Sequence, residues 1–257
     1  MRIISFGGGV QTTALAILAV RNETARPDAI VFADTGDESP DTYDFMAIFG
    51  PWLEDRGLLF RRVRRDGLAL VERYTAARRI PMRRVSSCTE NYKIGPVRRW
   101  LRRNGCAKTT LRHGDDRPRV QIGISWDEMD RMIASDAKWI VNEYPLIDLR
   151  LNRDDCKAII AAEGFEVPPK SGCMCCPWQS PRALVEAAER HPERIERIAV
   201  MEDRAIATGA THRLVRSNNG SALTVRQIVA SAKARVPLFD LSQFEAPGCK
   251  TVGYCFK

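Results

Sequence analysis

A short apolar run, three consecutive glycines and a helix-like stretch stand near the start of the chain, "RIISFGGGVQTTALAIL" over residues 2–18. No other feature narrows the possible folds as much. Glycine tolerates backbone conformations and close approaches that a Cβ forbids. A glycine-rich turn feeding a helix N-terminus aims several N–H groups at one spot, which favours an anion, phosphate first of all. The same residues also read as an ordinary tight strand-to-helix turn.

The pattern then recurs. Arg2–Phe6 reads as a short buried strand and Thr12–Val20 as a helix with Leu15, Leu18 and Ala19 turned inward. "DAIVFAD" (28–34) is a second strand, ending in the polar corner Asp34-Thr35-Gly36. Ser39 is a candidate cap for the next helix, with Pro40 at its first position. "LLFRRVRR" (58–65) reads as a third strand, and "RVQIGIS" (119–125) as another, ending just before Asp127 and Glu128. Strands separated by helical stretches predict an α/β fold, a doubly wound domain with a mostly parallel sheet. In such folds ligands bind beyond the carboxyl ends of the strands. The glycine loop, the Asp34 corner and Asp127-Glu128 all follow strands, which favours a phosphate site over a plain turn.

After residue 150 the texture changes, so residues 1–150 read as a nucleotide-binding α/β domain and 151–257 as a smaller, helical, cysteine-containing region. Asn152 caps a helix that stops at Gly164, and residues 167–181 form a loop stiffened by prolines. Ser180-Pro181 opens another helix, and His191-Pro192 interrupts it before one that ends near Gly209. With 257 residues, 44% of them hydrophobic, the chain can bury a sizeable core. No apolar run approaches the ~20 residues that cross a bilayer, and the N-terminus lacks a signal peptide's cleavage region. A cytoplasmic protein without membrane partners is the expectation. The net charge of +8 points to an acidic partner, nucleotide or nucleic acid.

Eight cysteines in a reducing compartment favour metal or reactive-thiol roles over a disulfide framework. Cys173 and Cys176 form a C-x-x-C pair, whose spacing lets two thiolates bind one metal from a single turn. Pro177 directly after it is seen in iron–sulfur ligand runs. Zinc, a redox dithiol and a cluster all fit the pair. Further ligands would come from Cys88, Cys175, Cys249 or Cys255, whereas Cys106 and Cys156 read as small buried hydrophobes. Arg98, Arg99, Arg102 and Arg103 share a helix face, and Arg83 and Arg84 precede Cys88. Solvated faces are the common outcome for such arginines, and a phosphate backbone is the functional one. Trp100 and Trp178 are candidates for stacking on a base or for burial. His113, His191 and His212 show no partner pattern. Adjacent Asp127 and Glu128 would diverge, so one reads as a ligand and one as a cap, with Glu128 and Arg131 paired at i, i+3.

Taken together, "SFGGGVQTTAL" resembles the PP-loop of the N-type ATP pyrophosphatases, the adenine nucleotide alpha hydrolase-like superfamily. "DTGDESPDTYDF", "CTENYKIGPVRRWL", "GISWDEMDR" and "KSGCMCCP" follow in the order of its phosphoadenylyl-sulfate (PAPS) reductase-like branch, and the matches span residues 4–177. The resemblance implies ATP or a related adenine nucleotide, with phosphates on Ser5, Gly7, Gly8, Gly9, Gln11, Thr12 and Thr13. Backbone near Ala33, Asp34 and Thr35 would contact adenine, and Lys93 and Arg131 would reach phosphate or sulfate. Asp34, Lys93, Asp127 and Arg131 are the implied catalytic set. It also implies an iron–sulfur cluster, of the 4Fe-4S kind, on Cys88, Cys173 and Cys176, with zinc as the alternative.

Departures from that pattern steer the function. Gln11 stands where the PP-loop commonly carries aspartate, so Asp34, Asp127 or Glu128 would have to hold any Mg²⁺. The reductases' C-terminal Glu-Cys-Gly motif is missing, the tail reading "APGCKTVGYC". Ser87-Cys88 stands where cluster-bearing reductases pair two cysteines. The leading expectation is therefore an ATP-dependent, adenylating sulfur transferase that modifies a nucleic-acid base and draws sulfur from a donor protein. A sulfonucleotide reductase using Cys249 or Cys255 is the second, and a non-catalytic, zinc-braced nucleotide- or nucleic-acid-binding protein the third.

Overall fold

The computed structural model describes residues 1–83, 87–106, 117–215 and 223–233. His113, Arg84, Cys249 and Cys255 lie outside the described residues. The chain forms two compact units, one drawn from Met1–Arg65 and Thr89–Gly172, the other from Asp66–Cys88 and Cys173–Lys250.

The first unit is an α/β fold built on five parallel strands, β1 (Arg2–Phe6), β2 (Ala29–Asp34), β3 (Phe60–Arg64), β4 (Arg119–Ile122) and β5 (Val141–Glu143), in the order 3-2-1-4-5. Helices α1 (Val10–Val20) and α2 (Pro40–Asp55) follow β1 and β2. Alternate residues of one strand face opposite layers. Ile4, Phe6, Ile30 and Phe32 pack with α1 and α2, whereas Ile3, Val31, Val120 and Ile122 pack on the other side with Val97 and Leu101. Helices on both faces make the sheet doubly wound. Phe49 stacks on Phe6, Phe45 and Trp52, with centroids 5.2–5.8 Å apart. Each such ring pair adds ~1 kcal/mol beyond area burial.

Several elements differ from expectation. All ten residues from Val10 to Ala19 are buried, not one stripe of them, because α1 lies between the sheet and a later helix. β3 starts two residues later than its apolar run suggested, and β4 stops at Ile122. The stop has a steric cause: a Cβ on Gly123 would sit 2.8 Å from the Thr12 nitrogen, so the chain there abuts the first turn of α1. β5, "VNE", carries no apolar run and has no signal in the sequence. Ser39 occupies the cap position of α2 without making a cap bond; its hydroxyl donates to Asp41 instead.

Between β3 and β4 the chain forms α3 (Leu70–Ala76), α4 (Ser87–Thr89), a π-helical turn (Glu90–Ile94) and α5 (Gly95–Arg103). After β5 come α6 (Pro145–Asp148) and α7 (Arg153–Ala162). Asn152 caps α7 in a reciprocal box with Asp155, and Gly164, with φ +86°, follows its end. In the second unit α8 (Pro181–Arg190), α9 (Pro192–Ile206) and α10 (Val225–Lys233) join α3, with no strand among the described residues. Ser180 caps α8 by accepting the Ala183 N–H. Buried Glu202 accepts from the Leu214 and Val225 N–H groups and closes the chain between α9 and α10. No helix among the described residues is long and apolar enough to cross a membrane.

Candidate functional site

The chain leaves β1 toward β2 and β3 on one side and returns to β4 and β5 on the other, so the strand order reverses between β1 and β4. Open α/β sheets bind ligands in the crevice at such a switch point. The glycine loop follows β1, and Gly123–Ser125 follow β4, which puts both loops at that crevice.

The loop is braced from within. Gly8 has φ +70°, and a Cβ there would meet the Thr42 methyl at 2.7 Å. The Thr12 hydroxyl accepts the Gly7 N–H and donates to the Gly9 carbonyl, and the Thr13 hydroxyl donates to the same carbonyl. Both threonines therefore shape the loop's backbone. Helix α1 has no side-chain cap, so its first-turn N–H groups have no partner within the helix, as at any helix start. Ser171 was not singled out in the sequence. A Cβ on Gly9 would lie 2.8 Å from its hydroxyl, so this serine rests against the loop. Ser5 is buried and lines a small, partly open cleft beside α5, with Val97, Arg98, Ile122 and Asn142.

Gln11 links the two loops. Its amide nitrogen donates to Ser125 Oγ (3.4 Å) and Glu128 Oε2 (3.1 Å), and its Oε1 accepts from Arg153 Nη1 at 3.0 Å. Glu128 Oε2 also accepts from Arg131 Nη1 at 2.5 Å, the expected i, i+3 pair. Both residues lie on a 3-10 stretch, Trp126–Arg131, broken at Glu128. Asp127 accepts the Arg153 backbone N–H at 3.0 Å, one of the first-turn donors that the Asn152 cap leaves over. Arg153 was not singled out either, and no local pattern marks it.

Asp34 belongs to a different network. Its Oδ1 accepts from the Gly36 N–H and the Tyr43 hydroxyl, and its Oδ2 accepts from Arg62 Nε and Nη2. Burial by itself would raise the Asp34 pKa, but the bonds from Tyr43, Gly36 and Arg62 outweigh it and hold the carboxyl below its usual value. The Thr35 hydroxyl donates to Glu38, which is buried and lies 3.8 Å from Lys93 Nζ. Lys93 sits on the π turn, whose i to i+5 closure onto Glu90 depends on Gly95 lacking a Cβ.

Magnesium needs carboxylate oxygens in near-octahedral geometry. Asp34 and Gln11 do not fit it, whereas Asp127 accepts only the Arg153 N–H, on Oδ1, and Glu128 takes its donors on Oε2 alone among the described residues. Both Asp34 oxygens are occupied, Glu128 Oε2 is shared by Arg131 and Gln11, and the Gln11 oxygen faces a guanidinium.

In the second unit the Cys176 N–H donates to the Cys173 carbonyl, so the C-x-x-C pair lies on one turn. Cys173 and Cys175 are buried, and Cys176 and Cys88 half-buried. The Tyr74 hydroxyl bonds Ser87; burial raises its pKa, and the Cys88 and Cys175 sulfurs add to the rise. Arg83 donates to the Pro177 carbonyl and lies over the Trp178 ring, 4.8 Å from its centroid. Among the described residues no three His, Cys, Asp or Glu side chains are placed to hold a metal ion. Cys106 and Cys156 are buried. Of the α5 arginines, Arg98 pairs with Asp136 and Glu90, whereas Arg102 and Arg103 are exposed. Trp100 packs on the core. His212 contacts the Ile80 carbonyl, and His191 joins α8 to α9. Compared with known proteins, the chain matches no protein-family model, and no curated protein matches it.

Proposed function

We propose that this chain has a PP-loop fold and is an ATP-dependent sulfur transferase acting on a nucleic-acid base. The observation that carries the reading is the bridge from Gln11 to Ser125 and Glu128, which joins the glycine loop's helix to the loop after β4 at the switch point. That crevice combines a braced glycine loop, the N-terminus of α1 and the guanidinium of Arg131. Backbone N–H groups and fixed cations neutralise charge developing on a transferred phosphoryl group without covalent help.

In the adenylation step the carbonyl oxygen of a base attacks the α-phosphorus of ATP. A new P–O bond forms, the bond from that phosphorus to the bridging oxygen breaks, and pyrophosphate leaves. A sulfur at the oxidation level of hydrosulfide then attacks the activated carbon, and AMP departs with the former carbonyl oxygen. The glycine loop and Arg131 would bind the phosphates, and Lys93 would approach from the Glu38 side. The net charge of +8 and exposed Arg102 and Arg103 support a nucleic-acid partner.

The cysteine turn supports a metal- or cluster-holding role as a separate part of the reading. Because Cys88, Cys173 and Cys176 do not converge as ligands, no step is derived through such a group. The deciding experiment measures pyrophosphate release from ATP with mixed RNA or DNA and a sulfide source, followed by mass spectrometry of the digested bases. Nucleic-acid-dependent pyrophosphate release with thiolated bases is the expected result. ATP binding without either product would leave a nucleotide-binding protein and overturn the transferase.

A further inference from the structure

Arg153 is the least explained charge at the crevice. Its guanidinium meets a neutral amide, Gln11 Oε1, and forms no ion pair with a carboxylate among the described residues, the adjacent Asp154 acting on it only as a nearby charge. Its backbone N–H is tied to Asp127, which pins the start of α7 in place. Beside it, Arg131 is fixed by Glu128 while its buried Nε–H has no hydrogen-bond partner among the described residues. A buried donor without an acceptor is costly, and the cost is relieved when an acceptor arrives. Two guanidinium groups thus converge on one pair, Gln11 and Glu128, within a side chain's length of the first turn of α1.

Both oxygens of Asp34 and one oxygen each of Glu128 and Asp127 are meanwhile engaged by these or other donors. A guanidinium is permanently charged and binds phosphate oxygens through a planar fork of N–H groups, so it can replace a metal's charge at a phosphate. We propose that Arg153 and Arg131, tethered by Gln11 and Glu128, are the fixed cations of the triphosphate site, and that nucleotide binding needs no divalent metal. The inference rests on the nucleotide reading above and adds Arg153 to it. Gln11 is then a positioning residue: a neutral amide can accept from Arg153 and donate to Glu128 at once, which a carboxylate cannot do.

The test is calorimetric titration of the whole chain with ATP and with adenosine, in excess EDTA and again in excess Mg²⁺. ATP affinity should agree within about threefold between the two conditions, a difference well under 1 kcal/mol. Arg153→Ala should weaken ATP by about tenfold or more, the size of a lost charge-assisted contact, and leave adenosine unchanged. Arg153→Lys should recover part of the loss, which a misfolded variant would not do. Gln11→Asp should weaken ATP in EDTA and regain it in Mg²⁺. Binding of ATP to the unaltered chain only when Mg²⁺ is present overturns this inference and leaves the nucleotide site standing. Equal weakening of ATP and adenosine by Arg153→Ala overturns it too, by reducing Arg153 to a structural role. Failure of ATP to bind in either condition removes the nucleotide site itself, and this inference with it.

Discussion

Arg62 grips Asp34 through two hydrogen bonds onto one carboxylate oxygen, Nε and Nη2 to Oδ2 at 3.0 and 2.8 Å. With Tyr43 and Gly36 on the other oxygen, Asp34 clamps the corner after β2.

The clamp makes stability depend on pH. The folded Asp34 carboxyl titrates below its unfolded value, so its contribution is present above the ordinary aspartate range and fades as pH falls through the lower folded value. Denaturant unfolding as a function of pH should show this slope, and Asp34→Asn should flatten it. Arg62 is half-exposed, so Arg62→Ala should cost only about 1 kcal/mol at neutral pH. An unchanged slope in Asp34→Asn would remove the clamp from the account.

Gly8 and Gly9 should not be equivalent. Gly8→Ala forces a Cβ into a left-handed conformation and against the Thr42 methyl, at a cost of about 2 kcal/mol or more. Gly9→Ala meets only the Ser171 hydroxyl, which can rotate away, and should cost less than about 1 kcal/mol. Thermal unfolding of both variants compares them directly, and equal losses would contradict the geometry. Gly8→Val should also abolish ATP binding while leaving any bound metal in place.

Gly123→Ala is a test of the contact between β4 and α1. The new Cβ would lie 2.8 Å from the Thr12 nitrogen and 3.0 Å from its Cα, and backbone cannot swing aside as a hydroxyl can. A loss of roughly 1–3 kcal/mol is expected, with weaker ATP binding as the first turn of α1 shifts. Melting curves and an ATP titration on the same sample read both effects. Intact ATP affinity in a destabilised variant would show that the turn's position does not matter to the nucleotide.

Metal content separates the cysteines. Burial first, then the nearby Asp127 and Asp155 carboxylates, push the Cys156 thiol up to about 12, so without a metal it stays protonated at neutral pH. The cluster reading requires iron and sulfide in protein purified without oxygen, lost when serine replaces Cys173 or Cys176; Cys88 does not converge with that pair here, so Cys88→Ser tests whether it joins them when a group is bound. Cys156→Ser should retain the iron and sulfide. A colourless protein with about one zinc per chain would overturn the cluster and favour zinc bracing.

Much of the α/β unit was legible because its signals are local. Ile3 and Ile4, or Phe32 and Ala33, face opposite layers by strand alternation alone. Asn152, Gly164, Ser180 and Pro181 mark helix ends through bonds or conformations that depend only on near neighbours. β5 was not legible, since Val141–Glu143 is too short and polar to show a period. The burial of α1 on every side was hidden as well, because the helix that covers it lies more than a hundred residues later.

By itself the sequence determined a glycine loop between a strand and a helix, the succession of strands and helices behind it, and a two-cysteine turn. Each is written in residues that lie side by side. Only the tertiary structure decided what those residues touch. Gln11 reads as a missing carboxylate until Arg153, far along the chain, is seen to bond it. Asp34 reads as a candidate catalytic residue or Mg²⁺ ligand, and the fold closes Arg62 on it from the neighbouring strand. A side chain's charge is set by its identity, but its chemistry is set by the partners that folding brings within about 3 Å.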